Sequence, residues 1–231
     1  MSQQSIKALF DRQSYYLAPA VFRAKQLKDL IESFDQIASE LGRDEQANNA
    51  RWSGKQMDEI DGGKSVILHT HNIQNYAGAW MQAFMSERFL DVAEKILGPD
   101  IILHHSKLFL KPPKIGAPFP MHQDWEHFPS QQDKMIAAII HLTDTDDNSG
   151  CLRIYPGSHK AGRIEGMRGE GEGSSAKAEF SLEGATPMPA KAGDVLFFSY
   201  LAVHGSTINT SNNPRKTVLV QLHPGDDRVE S

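Results

Sequence analysis

The chain has 231 residues and a formal net charge of −5, with 39% hydrophobic and 23% charged residues. That length can bury a full core in one domain or at most two small ones, and the composition is far from that of a disordered chain. A single cysteine, Cys151, excludes an intramolecular disulfide and any Cys-rich metal site, and the acidic balance without a basic run argues against a nucleic-acid partner.

The most apolar run, Met135 to Ile140, is far too short to cross a bilayer, and Met1 to Phe10 lacks the apolar core of a signal peptide. A cytoplasmic protein with no membrane partner is therefore expected. In chain order, Ala24 to Leu41 places Leu27, Leu30, Ile31, Phe34, Ile37 and Leu41 at helical spacing, and Gly42 follows as a stop. Asp44 to Lys64 is polar and poorly periodic, an irregular excursion. Glu87 to Leu97 is a second helix, ended by Gly98-Pro99.

From Ile101 the period changes. Ile101–Leu110, Met135–Leu142, Leu152–Tyr155, Val195–Ser199 and Thr217–Leu222 are short, β-prone and separated by Gly, Pro, Asn and Asp clusters. Strands so spaced, with no helices between them, predict a mainly β chain with flanking helices, arranged as a sandwich or jelly roll. Residues 1–231 read as one domain, with 1–100 as a helical support and 101–225 as the β core. Ala161 to Lys191 carries many glycines among charged residues and reads as a long functional loop.

The chemistry-bearing residues lie in the β half. In an extended segment residues i and i+2 share a face, so His122 and Asp124 of His122-Gln123-Asp124 can offer an imidazole and a carboxylate to one metal ion. His204, beyond the apolar run Val195 to Phe198, is the best third ligand, and two histidines with one carboxylate suit non-haem Fe(II) and O2 chemistry. Arg215 begins the last strand. If His204 lies on one strand and Arg215 on its antiparallel neighbour, both face one cavity, where a guanidinium holds a carboxylate bidentately. Ser206 projects to the side of His204 and can add a hydroxyl. Cys151 reads as a buried structural thiol, and Pro156 to His159 as a turn.

The stretch Phe119-Pro120-Met121-His122-Gln123-Asp124-Trp125, then Asn148 to Leu152, Pro156 to His159, Gly193-Asp194, His204-Gly205-Ser206 and Arg215, resembles the phytanoyl-CoA dioxygenase family. Lys111-Pro112-Pro113 upstream also fits its pattern. The resemblance implies a double-stranded β-helix (cupin-like jelly roll) using Fe(II), 2-oxoglutarate and O2. It implies His122, Asp124 and His204 as iron ligands, and Arg215, Ser206 and Lys111 around the cosubstrate. Gln123, Trp125 and His127 flank the ligands as candidate substrate contacts. The implied reaction oxidises, most simply hydroxylates, a C–H bond of a small-molecule substrate with release of succinate and CO2. A retired or non-oxidative metal-binding jelly roll is the alternative. The loop Ala161 to Lys191 is expected to be mobile without substrate and to order over the iron with substrate and 2-oxoglutarate bound. His69, His71, His104 and His105 read as structural.

Overall fold

The computed structural model describes residues 3–41, 49–50, 67–167 and 179–230. Its helices are α1 (Gln3–Gln13), α2 (Ala24–Leu41), α3 (Gly78–Phe84) and α4 (Glu87–Leu97). α2 and α4 have the bounds their apolar spacing predicts, and each buries one stripe: Leu30, Phe34, Ile37 and Ala38 of α2, and Phe89, Val92, Ala93 and Ile96 of α4.

The strands are β1 (Tyr15–Ala18), β2 (Asn49–Ala50), β3 (Ile67–His71), β4 (Ile101–Lys111), β5 (Phe119–His122), β6 (Ile136–His141), β7 (Leu152–Ile154), β8 (Thr186–Pro187), β9 (Val195–Ser199), β10 (His204–Ser206) and β11 (Arg215–Pro224). Among the described residues they form two antiparallel sheets, a seven-stranded one in the order β1-β9-β6-β11-β4-β3-β2 and a four-stranded one in the order β5-β10-β7-β8. This is the double-stranded β-helix with flanking helices.

The N-terminal hundred residues are not purely a helical support. β1 pairs with β9 at one edge of the large sheet, and β3 pairs with β4 near the other. Four- and five-residue strands are too short to show a period against the neighbouring helical pattern. Of the excursion Asp44 to Lys64, only Asn49–Ala50 is described, as β2, and the rest lies outside the described residues.

The large sheet buries apolar residues on both faces because both are covered, although its inner face also carries polar and charged residues of β4 and β11. Ile136, Ala138, Ile140, Val218, Val220 and Leu222 point outward into the core shared with the helices. One such contact, Phe89 of α4 against Phe197 of β9, has ring centroids 5.5 Å apart. The alternate residues Ala137, Ile139, Leu196 and Phe198 point inward, toward Leu152 and Ile154 of the small sheet. Each fully buried aliphatic or aromatic side chain contributes ~1.5–3 kcal/mol. The two layers together hold the strands of the site rigidly.

The turn into β9 needs Gly193. Its φ is +92°, and a Cβ there would lie 2.2 Å from the carbonyl oxygen of Phe22. That approach is kept by a 3.0 Å hydrogen bond from the Phe22 amide to the Gly193 carbonyl. Gly193→Ala is expected to cost more than ~2 kcal/mol through strain and lost contact, seen as a lower urea midpoint at unchanged slope. An unaltered midpoint would contradict this account.

The segment expected to be a lid divides into parts. Residues 168–178 lie outside the described residues. Its two flanks belong to the fold: Met167, Leu182 and Ala185 are buried in a cluster with Met121 and Val203, and β8 pairs with β7. The stretch begins beside the site, since the Gln123 side chain donates to the Gly162 carbonyl at 3.0 Å and accepts from the Ile164 amide at 2.8 Å.

Candidate active site

β5 and β10 are neighbours in the small sheet with His122 and His204 in register, so their imidazoles meet with centroids 4.2 Å apart. Gln123 stays extended, and the chain then turns into a short 3-10 helix, Asp124–Glu126. The turn brings the Asp124 Oδ1 to 3.5 Å from His122 Nε2 and 3.6 Å from His204 Nε2. One ligand atom from each of these three buried residues lies within 4.8 Å of the other two.

Hydrogen bonds settle which atoms face the common point. His122 Nδ1 lies 2.8 Å from the Pro120 carbonyl and His204 Nδ1 lies 2.9 Å from the Ala202 carbonyl. A carbonyl only accepts, so each Nδ1 carries the proton and each Nε2 keeps its lone pair. The Gln221 amide donates to the Asp124 Oδ2 at 2.7 Å, leaving Oδ1 for the centre. Such second partners orient ligands and fix tautomers. Two neutral imidazoles and one carboxylate, with the remaining positions open, fit Fe(II).

The electrostatics agree for two of the three ligands. At His122 burial lowers the imidazole, but the Asp124 carboxylate and the Pro120 carbonyl outweigh it and raise it, so a metal must displace a proton there. Burial would raise the Asp124 carboxyl, but His204, His122 and the Gln221 amide hold it well below the usual carboxylate range. Burial, with His122 beside it, pushes His204 down to about 4. The triad therefore presents an ionised carboxylate and an unprotonated His204 at neutral pH, as metal binding requires.

A second feature lies further along the same cavity. Arg215 is 5% exposed on the cavity wall, with Nη1 donating to the Gly150 carbonyl. Lys111, fully buried, is its register partner on β4, and its ammonium donates at 2.7 Å to both the Ser206 hydroxyl and the Thr207 carbonyl. Burial pushes Arg215 down to about 10, and burial with the neighbouring Arg215 lowers Lys111 well below the ordinary lysine value. Among the described residues neither cation has a carboxylate partner. A buried guanidinium on the cavity wall, beside the Ser206 hydroxyl that Lys111 orders, can receive an anion.

The geometry differs from the expectation in one respect. His204 and Arg215 are not on neighbouring strands. His204 belongs to β10 in the small sheet and Arg215 to β11 in the large one, and they share a cavity because the sheets face each other. β10 is only three residues long, and the chain crosses between layers before β11.

The three residues flanking the triad also separate. His127 lines the cavity. Gln123 is fully buried away from it, its amide donating to the Leu201 and Gly162 carbonyls and its oxygen accepting from Trp125 Nε1 at 2.7 Å. Trp125 packs with Met135, Tyr200 and Leu201 under the Arg163 guanidinium, which lies 5.2 Å from its ring centroid. These two side chains fix the loop that carries Asp124 and do not form the cavity wall. His71, His104 and His105, read as structural, stand on that wall together with Lys107, whereas His69 does not. Gln221 was also missed. Its signal was the alternation of the last strand, in which Arg215, Thr217, Leu219 and Gln221 share one face.

The cavity lies between the sheets and has a volume of about 500 Å³, within the ~300–1,000 Å³ range of small-molecule pockets. A double-stranded β-helix with a buried His-Asp-His triad lining such a cavity belongs to the non-haem iron oxygenase class. Residues 10–217 match the family model described as phytanoyl-CoA dioxygenase (PhyH), and the chain belongs to that family. It is a 2-oxoglutarate-dependent non-haem iron dioxygenase whose cofactors are Fe(II), 2-oxoglutarate and O2.

Two relatives from Stutzerimonas stutzeri are similar over most of both chains. A probable alpha-ketoglutarate-dependent hypophosphite dioxygenase is 29% identical, over 92% of this chain and 75% of its own. The ectoine dioxygenase of strain A1501 is 28% identical, over 96% of this chain and 77% of its own. Among solved structures, the epimerase SnoN in complex with Fe3+, alpha ketoglutarate and nogalamycin RO superimposes with a TM-score of 0.78 at 18% identity, covering 99% of this chain and 86% of that one. EctD from S. alaskensis with bound Fe gives a TM-score of 0.78 at 21% identity, covering 100% and 79%. These likenesses establish the shared fold. Among the described residues no helix is long and apolar enough to cross a membrane.

Proposed function

We propose that this dioxygenase hydroxylates a C–H bond of a small molecule held in the cavity between the sheets. His122, Asp124 and His204 hold the iron, and Arg215, Lys111 and Ser206 hold the far carboxylate of 2-oxoglutarate. The observation that carries this reading is that one cavity is lined both by three convergent ligand atoms and by Arg215, a buried cation with no acidic partner among the described residues. Lys111 stands behind the lining and donates to the cavity-facing Ser206 hydroxyl. When bound, iron and 2-oxoglutarate supply the oxidation of the C–H bond, with succinate and CO2 released.

The chain's own residues do the rest. The Pro120 and Ala202 carbonyls and the Gln221 amide aim the ligand atoms before any metal arrives. The Lys111 ammonium orders the Ser206 hydroxyl at 2.7 Å, so the anion site is formed in advance. Ile139, Leu152, Phe198 and Leu219 line the cavity with apolar surface that excludes water from the reacting groups. All three ligands and the arginine are present, which favours turnover over the retired-enzyme alternative.

Anaerobic titration with Fe(II) and 2-oxoglutarate is expected to give the weak visible charge-transfer band of a chelated cosubstrate, and admission of O2 to give iron-dependent succinate. A folded, metal-loaded protein with neither property would overturn this reading. Gln221→Met keeps the side-chain volume but frees the Asp124 Oδ2. It is expected to weaken Fe(II) binding ~10–100-fold without loss of folding, measured by competition with a chelator, and an unchanged iron affinity would remove Gln221 from the site.

A further inference from the structure

β4 carries a second constellation that iron and 2-oxoglutarate leave unused. His105 and Lys107 alternate on its cavity face, and His71 stands opposite Lys107 across the β3–β4 ladder. At a shift in register, Gln221 and Leu222 of β11 oppose His105 and Leu103, which makes His104 an extra residue in β4. A bulge of this kind re-aims a side chain, and here two successive residues, His104 and His105, both reach the cavity.

The rings are linked. The centroids of His71 and His105 are 6.0 Å apart and those of His104 and His105 4.9 Å. The Nδ1 atoms of His104 and His105 share a 2.6 Å hydrogen bond, so one ring donates and the other carries its proton on Nε2. Phe128 packs against both, at 5.3 and 5.2 Å between centroids.

Charge decides what this wall accepts. Among the described residues, Asp124 is the only carboxylate on the cavity wall, and Lys107 and Arg215 are its only permanent cations. In the proposed reading the metal meets Asp124, and the cosubstrate carboxylate meets Arg215. Lys107 is left over. It is partly buried and makes no ion pair among the described residues, its ammonium lying 5.2 Å from the Phe109 ring centroid. Burial lowers Lys107, and the Asp124 carboxylate only partly offsets that. In that reading Asp124 is committed to the metal, which leaves Lys107 without an anion of its own. Burial pushes His105 down to about 4 and lowers His71 and His104 in the same direction. At neutral pH the rings are uncharged. His71 keeps its N–H, and the His104–His105 pair keeps one, its other being spent between the two rings. Lys107 alone sets the charge the wall takes.

Resting on the function proposed above, we propose that His71, His104, His105 and Lys107 form the substrate-recognition wall, and that it binds a small substrate through one negatively charged oxyanion group. Lys107 pairs with that group, and the two N–H groups left free, one on His71 and one on the His104–His105 pair, donate to its remaining oxygens. The shared chemistry is that of a carboxylate or a phosphorus oxyacid. The substrate is small because the same cavity of about 500 Å³ also holds 2-oxoglutarate.

The test uses the full chain, anaerobic, with saturating Fe(II) and 2-oxoglutarate, so that the Arg215 site is already filled. The charge-transfer band is recorded first. Its absence would indict the proposed function and not the wall. Methylphosphonate, butyrate and the uncharged butyramide are then titrated by calorimetry. At least one anion is expected to bind while butyramide does not, and the tighter of the two anions identifies the oxyanion source. Lys107→Met is expected to weaken that anion at least tenfold with the band and the 2-oxoglutarate affinity retained, and Lys107→Arg to preserve binding. The wall is excluded if neither anion binds, if butyramide binds as well as they do, if the anion displaces 2-oxoglutarate and abolishes the band, or if Lys107→Met leaves the anion affinity unchanged.

Discussion

Asp124→Ala is expected to reduce iron-dependent succinate release by more than the ~10–100-fold that losing a ligand's outer partner costs, and to abolish tight Fe(II) binding. The carboxylate is the only anionic member of the triad and sits 3.5 and 3.6 Å from the two Nε2 atoms. Without it, two neutral imidazoles face the metal and no charge offsets the desolvation of a dication. Asp124→Asn separates charge from shape, because it keeps the side-chain volume and still accepts from Gln221. It should bind iron almost as poorly as the alanine variant. Chelator competition and succinate yield give the two readouts, and a thermal melt checks that both variants fold. Retention of wild-type iron affinity in either folded variant would remove Asp124 from the metal site.

Arg215→Met is expected to weaken 2-oxoglutarate by ~100–4,000-fold while leaving Fe(II) affinity unchanged. Losing one partner of a buried ion pair costs ~3–5 kcal/mol, and each ~1.4 kcal/mol is a factor of ten. The variant is a fair test because methionine fills a similar volume. It also removes a cation that burial already disfavours, so the cosubstrate-free fold loses little beyond the hydrogen bond to the Gly150 carbonyl, ~1 kcal/mol. Raising 2-oxoglutarate should recover turnover, since the defect is in binding. Titration of the charge-transfer band measures the shift directly. An unchanged 2-oxoglutarate affinity would show that the two buried cations serve another anion.

Much of the β half was legible because its strands are bounded by strong punctuation. β9 has the expected bounds, Val195–Ser199, β4 runs one residue past its expected end, and β11 runs two residues past each of its ends. α1 was not legible. Its buried face is made by Ile6 and Phe10, too few positions for a period to emerge. β5 and β10, which carry His122 and His204, have four and three residues, and pairing defines them more than pattern does.

The amino-acid sequence by itself determined the parts of the site that are local along the chain. His122 and Asp124 are two residues apart, with only Gln123 between them, and one turn brings both to the same point; His204, Ser206 and Arg215 follow in a recognisable order. Only the tertiary structure decided what faces them. Gln221 reaches Asp124 across 97 positions, Lys111 reaches Ser206 across 95, and Lys107 meets His71 through the β3–β4 register. The bulge at His104 turns two consecutive residues toward one cavity, against the strict alternation that a strand pattern assumes. Side-chain periodicity reports which face of its own strand a residue occupies. Which strand lies opposite is set by sheet order, register and the closure of one sheet over the other.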